Sequence, residues 1–207
     1  TSTLAEQWAG VREVFRSRHF WRFAPLGLTI TGGYMAVQSL WSISWLMEVN
    51  GHTRAPAAGN LAGMNGAMLL SYIFIGLLAT RLARRGITPV MLLGTALALS
   101  LLALALIVGE ATRQTHWLWI AYGVFSCFGT LIYSQTAAGF PPALSGRATT
   151  SVNLLVFSGA FVIQWGLGLS IELMQELGLS VATAHRSAFF GLLCLQRRRS
   201  ERRRLPG

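Results

Sequence analysis

The chain has 207 residues, 53% of them hydrophobic and only 12% charged, and its mean hydropathy is +0.50. A soluble domain carries about twice that charged fraction, so this composition excludes an ordinary soluble fold. The net charge of +10 comes from 17 Arg against 7 Glu, with Lys and Asp absent, and the arginines sit in short clusters between long apolar runs. That distribution describes solvated ends rather than the basic stripe of a nucleic-acid-binding domain, so no nucleic-acid partner is expected. The Arg bias, with the richness in Ala, Gly and Leu, points to a GC-rich bacterial gene.

Residues 1–22 are polar and basic, carry no signal-peptide cleavage site, and read as a cytoplasmic linker. Five runs free of Arg, Glu and His follow: Phe23 to Met47, Ala57 to Leu78, Pro89 to Val108, Trp117 to Phe140 and Ser151 to Ile171. Each approaches the ~20 apolar residues a spanning helix needs, and backbone in hydrocarbon pairs within itself, so the expected fold is an all-α transmembrane bundle. The sixth run is short. After His185 and Arg186 only Ser187 to Leu195 is apolar, about 13 Å of helix against a ~30 Å hydrocarbon core. The bundle is therefore expected over 23–195, with five full spans and a truncated sixth, and 196–207 as an Arg-rich cytoplasmic tail.

Arginine counts in the short loops set the direction. With the N-terminus in the cytoplasm, that side holds Arg12, Arg16, Arg18, Arg22, Arg81, Arg84, Arg85, Arg147 and the six tail arginines; the other holds Arg54, Arg113 and Arg186. The expected location is a bacterial inner membrane, multi-pass, with the N-terminus inside. Trp21, Trp41, Trp45, Trp117 and Trp119 lie towards span ends, as interfacial anchors do; Trp165 is deeper. Cys127 and Cys194 lie inside apolar runs, with no C-x-x-C and no framework for disulfides or zinc.

The loop after the second run reads Gly76-Leu-Leu-Ala-Thr80-Arg81-Leu-Ala83-Arg84-Arg85-Gly86. It resembles the G-x-x-x-D-R-x-G-R-R loop of the major facilitator superfamily of transporters, which joins the second and third helices of each six-helix half. Thr80 stands in place of the acid and Ala83 in place of the second glycine, an erosion typical of the second-half copy. The lead-in Val14 to Arg22, the stretch Gln38 to Leu46, and Phe140-Pro141-Pro142 before Ser145-Gly146-Arg147-Ala148 are similar, in the same order, to segments of that half. The resemblance covers about Phe20 to Gln196. It implies the C-terminal half of a secondary transporter, with an N-terminal half missing as partner. It also implies a gating loop of Gly76, Arg81, Arg84, Arg85 and Gly86, and a third helix that lies outside, facing lipid. Gly76 is expected to permit close helix approach.

Amides in hydrocarbon are costly unless paired or hydrated. Gln38, Asn65, Gln135, Asn153 and Gln164 lie in the first, second, fourth and fifth runs, whereas the third holds only Thr95 and Ser100 as polar side chains. With Tyr34 and Trp41, which share a helical face with Gln38 at spacings of four and three, those amides are the expected substrate cavity for a small solute. The bland alternative is interhelical bonding between the amides themselves. Gly32, Gly33, Gly159, Gly166 and Gly168 read as packing or bending sites. No intramembrane acid or His is available for proton coupling, since His19, His52, His116 and His185 fall at loop positions. No H-E-x-x-H occurs and no Lys completes a phosphate loop, so no catalytic residue, metal or cofactor is expected. A membrane scaffold or assembly partner that transports nothing is the competing class. The abrupt change to Arg-rich sequence after Gln196 is what a frameshift in GC-rich DNA produces, and a basic tail binding anionic membrane lipid is its rival.

Overall fold

Hydrocarbon offers the backbone no partners, and the apolar runs satisfy their own N–H and C=O groups as helices. The computed structural model describes residues 4–110, 112 and 115–201, and among these there is no strand. An amphipathic helix α1 (Leu4–Arg16) leads into a long helical rod over 18–48, made of α2 (Arg18–Leu26), α3 (Gly32–Ala36) and α4 (Ser42–Glu48) joined by π turns at Gly27–Thr31 and Val37–Trp41. Then come α5 (Arg54–Ala83) and α6 (Pro89–Val108), a fourth rod of α7 (His116–Ser126), a 3-10 turn at Cys127–Thr130 and α8 (Leu131–Ala137), and finally α9 (Pro142–Glu176) and α10 (Val181–Glu201).

Local chemistry sets these boundaries. Thr88 Oγ1 accepts the Met91 N–H at 3.2 Å and Pro89 fills the first helical position of α6, where its missing N–H costs nothing. Gly86 (φ +81°) and Gly178 (φ +88°) adopt the left-handed conformation that stops α5 and α9, with the Ile87 N–H reaching back to Leu82 O and the Leu179 N–H to Met174 O. Pro25 lies inside α2, lacks the N–H that would bond one turn back, and is followed within two residues by the first π turn.

Four helical segments are long and apolar enough to cross a membrane: Arg54–Leu77, Pro89–Val108, His116–Ala137 and Pro142–Glu176. The run from Phe23 to Met47 is helical throughout but interrupted by the two π turns. The rod over 18–48 packs along α9, α5 packs on α7 and α4, α6 on α7 and α10, and α10 on α9, α6 and α4. Two apolar clusters fill opposite ends of the bundle. One gathers Trp45, Met64, Trp119, Tyr122 and Phe189; the other gathers Phe20, Phe23, Ile30, Ile132, Val152 and Val156.

The helices run past the limits of the apolar runs. The apolar run Ser187–Leu195 lies inside a longer helix: α10 is helical for 21 residues, about 31 Å, but is not among the described segments apolar enough to cross a membrane. Buried His185 bonds Ser44 and Val181, and buried Gln196 donates to Thr29 O at 3.1 Å. The boundary expected after Leu195 therefore falls inside a helix; residues 202–207 of the tail lie outside the described residues, as does Arg113. Likewise α2 crosses the boundary expected at residue 22. Within the bundle, α6 is more covered than α5. Of its membrane-length stretch 39% is buried, against 11% for that of α5. Its Ser100 is buried and paired with Ser126 Oγ at 2.7 Å.

Among the glycines, Gly32 and Gly159 mark a close crossing of the first rod on α9. A Cβ on Gly32 would lie 2.6 Å from Val156 O, and one on Gly159 would overlap the Leu28 carbonyl. A Cβ on Gly33 would sit 2.5 Å from Gln196 Nε2, whereas Gly168 has only ordinary contact with Trp41. Gly76 and Gly166 have nothing within 4 Å of a built Cβ, so neither serves close approach within this bundle.

Candidate functional site

The π turn at Val37–Trp41 shapes the site by changing which neighbour each side chain meets. Ahead of it, Tyr34 is buried, donates its hydroxyl to Met68 Sδ of α5 at 2.9 Å, and meets Tyr122 edge-on at 5.3 Å. Within it, Gln38 Nε2 donates to Asn65 Oδ1 of α5 at 2.5 Å, and both side chains are half-buried. Trp41 turns away from that pair. Its Nε1 donates to Gln164 O of α9 at 3.2 Å, and its ring lies 6.1 Å from the His185 ring of α10. The expected single face of Tyr34, Gln38 and Trp41 is thus split between α5 and α9, because a π turn carries more residues per turn than the α-helix on which the spacing was read.

The remaining amides lie elsewhere. Tyr133 donates its hydroxyl to Asn153 Oδ1 at 3.0 Å on an exposed part of α9. Gln135 engages through its backbone: its carbonyl accepts from His19 Nε2 at 3.0 Å. Gln164 likewise acts through its carbonyl towards Trp41, and its side chain is half-buried. Of the seven expected cavity residues, Tyr34, Gln38 and Asn65 form one group with α5; Trp41 and Gln164 form a second with α9; Gln135 and Asn153 stand apart.

Hydrogen bonding between amides does not exhaust them. Gln38 keeps its carbonyl and one N–H, and Asn65 keeps its NH₂, so the pair still offers donors and acceptors. Trp45 Nε1, Trp119 Nε1 and Tyr122 OH are buried donors without a protein partner among the described residues. All three belong to the cluster that contains Tyr34.

His52 lies in the loop before α5, as expected, whereas His19, His116 and His185 lie in helices. His185 sits one turn into α10, almost fully buried; its Nδ1–H donates to Val181 O at 2.8 Å, which leaves Nε2 to accept from Ser44 Oγ at 2.8 Å. His116 opens α7, and its Nδ1–H donates to Asn60 Oδ1, while Asn60 Nδ2 donates to His52 Nδ1 at 3.3 Å. Arg186 pairs with Glu110 between partly exposed side chains. Sequence could have flagged His185, since Val181, His185, Phe189 and Leu192 recur at helical spacing. No group of three metal-ligating side chains occurs among the described residues.

At the opposite end, Arg81 closes α5 and Arg84 and Arg85 lie exposed in the turn before Gly86. The left-handed Gly86 is explained by helix termination alone. The side chains of Thr80 and Ala83 lie outside the described residues.

No protein-family model, curated protein or solved structure matches the chain.

Proposed function

We propose that the chain is one six-helix half of a secondary transporter, of the kind built in the major facilitator superfamily, and that a companion half completes the path for a small solute. In this reading α10 is the truncated sixth span, the N-terminus is cytoplasmic, and the membrane is a bacterial inner membrane. The observation that carries it is the half-buried Gln38–Asn65 pair, which joins two helices and keeps unspent donors and acceptors. Trp41 in the next turn adds an aromatic face for an apolar or cationic group. Substrate sites of such carriers lie near the midplane between two bundles, and Gln38 is central in its rod. The arginine asymmetry supports the orientation.

The test is to co-reconstitute the chain with its companion half in vesicles and follow counterflow of labelled amino acids, sugars, carboxylates and organic cations. Saturable counterflow of one class, reduced in Gln38→Ala, is the expected result. Absence of counterflow for every class, with the two chains nonetheless forming a stable complex, would favour a membrane scaffold instead. The exposed apolar stripe of Leu69, Leu70, Ile73, Phe74 and Leu77 on α5 is the observation that suits that second reading.

A further inference from the structure

Helix α1 carries an apolar stripe that the bundle does not cover. Leu4, Trp8, Val11 and Phe15 recur at spacings of four, three and four and share one face; Leu4 is 77% exposed and Trp8 73%. The helix is nevertheless fixed in place. Val14 is fully buried, Trp21 Nε1 donates to Phe15 O at 2.7 Å, and the Arg147 guanidinium lies over Gly10. Val11 and Phe15 wall two apolar grooves, each of about 600 Å³. One runs beside α9 past Pro142, Gly146 and Thr150 to Leu154, with Arg147 at its lip; the other lies along α1 between Trp8 and Arg12. The first opens onto exposed Leu154, Phe157 and Phe161 of α9. From Arg147 to Phe161 the helix rises about 21 Å, more than the ~15 Å half-thickness of a bilayer core.

We infer that this groove binds an anionic phospholipid, its phosphate held by Arg147 and one acyl chain laid along α9, with Arg12 on the far side of α1 adding to the positive field. Charge complementarity selects the occupant. Neither arginine has a carboxylate partner among the described residues, Arg16, Arg18 and Arg22 follow on the same approach, and a guanidinium matches phosphate in a two-pronged geometry. An amphipathic helix with Trp on its apolar side and Arg beside it lies in the headgroup layer, where the first rod enters the membrane. The inference depends on the chain crossing a membrane and not on what it transports.

The experiment places the intact chain in bilayers of equal phosphatidylglycerol and phosphatidylcholine, releases it gently, and weighs the retained lipid by native mass spectrometry. Phosphatidylglycerol is expected to be preferred. Arg147→Gln should lower that preference about five-fold, the equivalent of ~1 kcal/mol for one arginine near the surface, and Arg12→Gln should lower it less. Arg147→Lys should restore part of it, and Arg54→Gln at the other end of the bundle should leave it unchanged. Equal retention of the two lipids, or a preference untouched by both Gln variants, overturns the inference. Displacement by excess inorganic phosphate overturns it too, since the site would then take a free anion.

Discussion

Replacing Gly159 with Ala should separate the first rod from α9. The added Cβ would overlap the Leu28 carbonyl oxygen and sit 2.8 Å from its carbonyl carbon, where 3.5–4.0 Å is the favourable separation of two carbons. The obstacle is backbone on both sides, so no rotamer change relieves it, and the helices must part by about 1 Å. That gap opens the cluster of Phe23, Ile30, Val152 and Val156 on the same crossing. Overpacking of this kind costs typically 1–3 kcal/mol, and with backbone as the obstacle the top of that range, ~3 kcal/mol, is expected. Gly166 lies two turns along α9 with nothing within 4 Å. There the same substitution should stabilise by up to ~1 kcal/mol, the helix-propensity difference between Gly and Ala. Reversible unfolding of the chain in mixed micelles, followed by far-ultraviolet circular dichroism, reads both variants against the parent. A gap of about 3–4 kcal/mol between Gly159→Ala and Gly166→Ala is expected. Equal stabilities would refute the close crossing and the register of α9 on the first π turn.

In a complete carrier, Gln38→Ala or Gln135→Ala should lower uptake about two- to ten-fold, the worth of one hydrogen bond to solute. Ser100→Ala should cost about 0.6 kcal/mol of stability through the lost bond to Ser126 and leave uptake per folded molecule unchanged; similar uptake losses for all three variants would remove the cavity assignment. Glu110 has φ +48° and pairs with Arg186 through a side chain about two-fifths exposed. Glu110→Gly should therefore raise stability slightly, because relief of a left-handed backbone (~1 kcal/mol) exceeds an exposed ion pair (~0.5 kcal/mol); a measured loss above 1 kcal/mol would mean the pair is stronger than its exposure implies. Cysteines placed at Arg54 and Arg84, in a background lacking Cys127 and Cys194, should label oppositely with an impermeant maleimide in right-side-out vesicles. Position 54 is expected to react and 84 is not; the reverse pattern inverts the orientation.

Much of the fold was legible because the bilayer imposes one rule on every residue of a span. Long runs without Arg, Glu or His became helices, and the Thr88-Pro89 start and the Gly86 and Gly178 stops were written in local backbone chemistry. Two features escaped that rule. The π turns at Gly27–Thr31 and Val37–Trp41 leave no hydropathy trace, yet the second splits Tyr34 and Gln38 from Trp41. The extent of α10 was hidden because counting uninterrupted apolar residues treats His185 and Gln196 as terminators. Their partners, Ser44 and Thr29 O, lie 141 and 167 residues away in the chain. A polar group terminates a span only if nothing on a neighbouring helix satisfies it, and that information is tertiary.

The same reasoning bears on the amides, where pairing and solute binding are often set against each other. An amide has one carbonyl and two N–H donors, so a single bond such as Gln38 to Asn65 consumes a minority of the pair's capacity. What the pairing does is fix orientation: Gln38 is tied to α5 and its remaining groups are aimed. A side chain so held loses less conformational freedom when a solute arrives than a free glutamine would, by ~0.5–1.5 kcal/mol. Gln135 makes no such side-chain bond among the described contacts, and Asn153 is exposed and held by Tyr133. On this ground Gln38 and Asn65 are the pair most suited to recognise a polar solute. Disabling Asn65 alone should impair uptake as Gln38→Ala does, because it releases Gln38 without removing it. If Asn65→Ala transports normally, the orientation of Gln38 is irrelevant and the pair is a structural clasp between the first rod and α5.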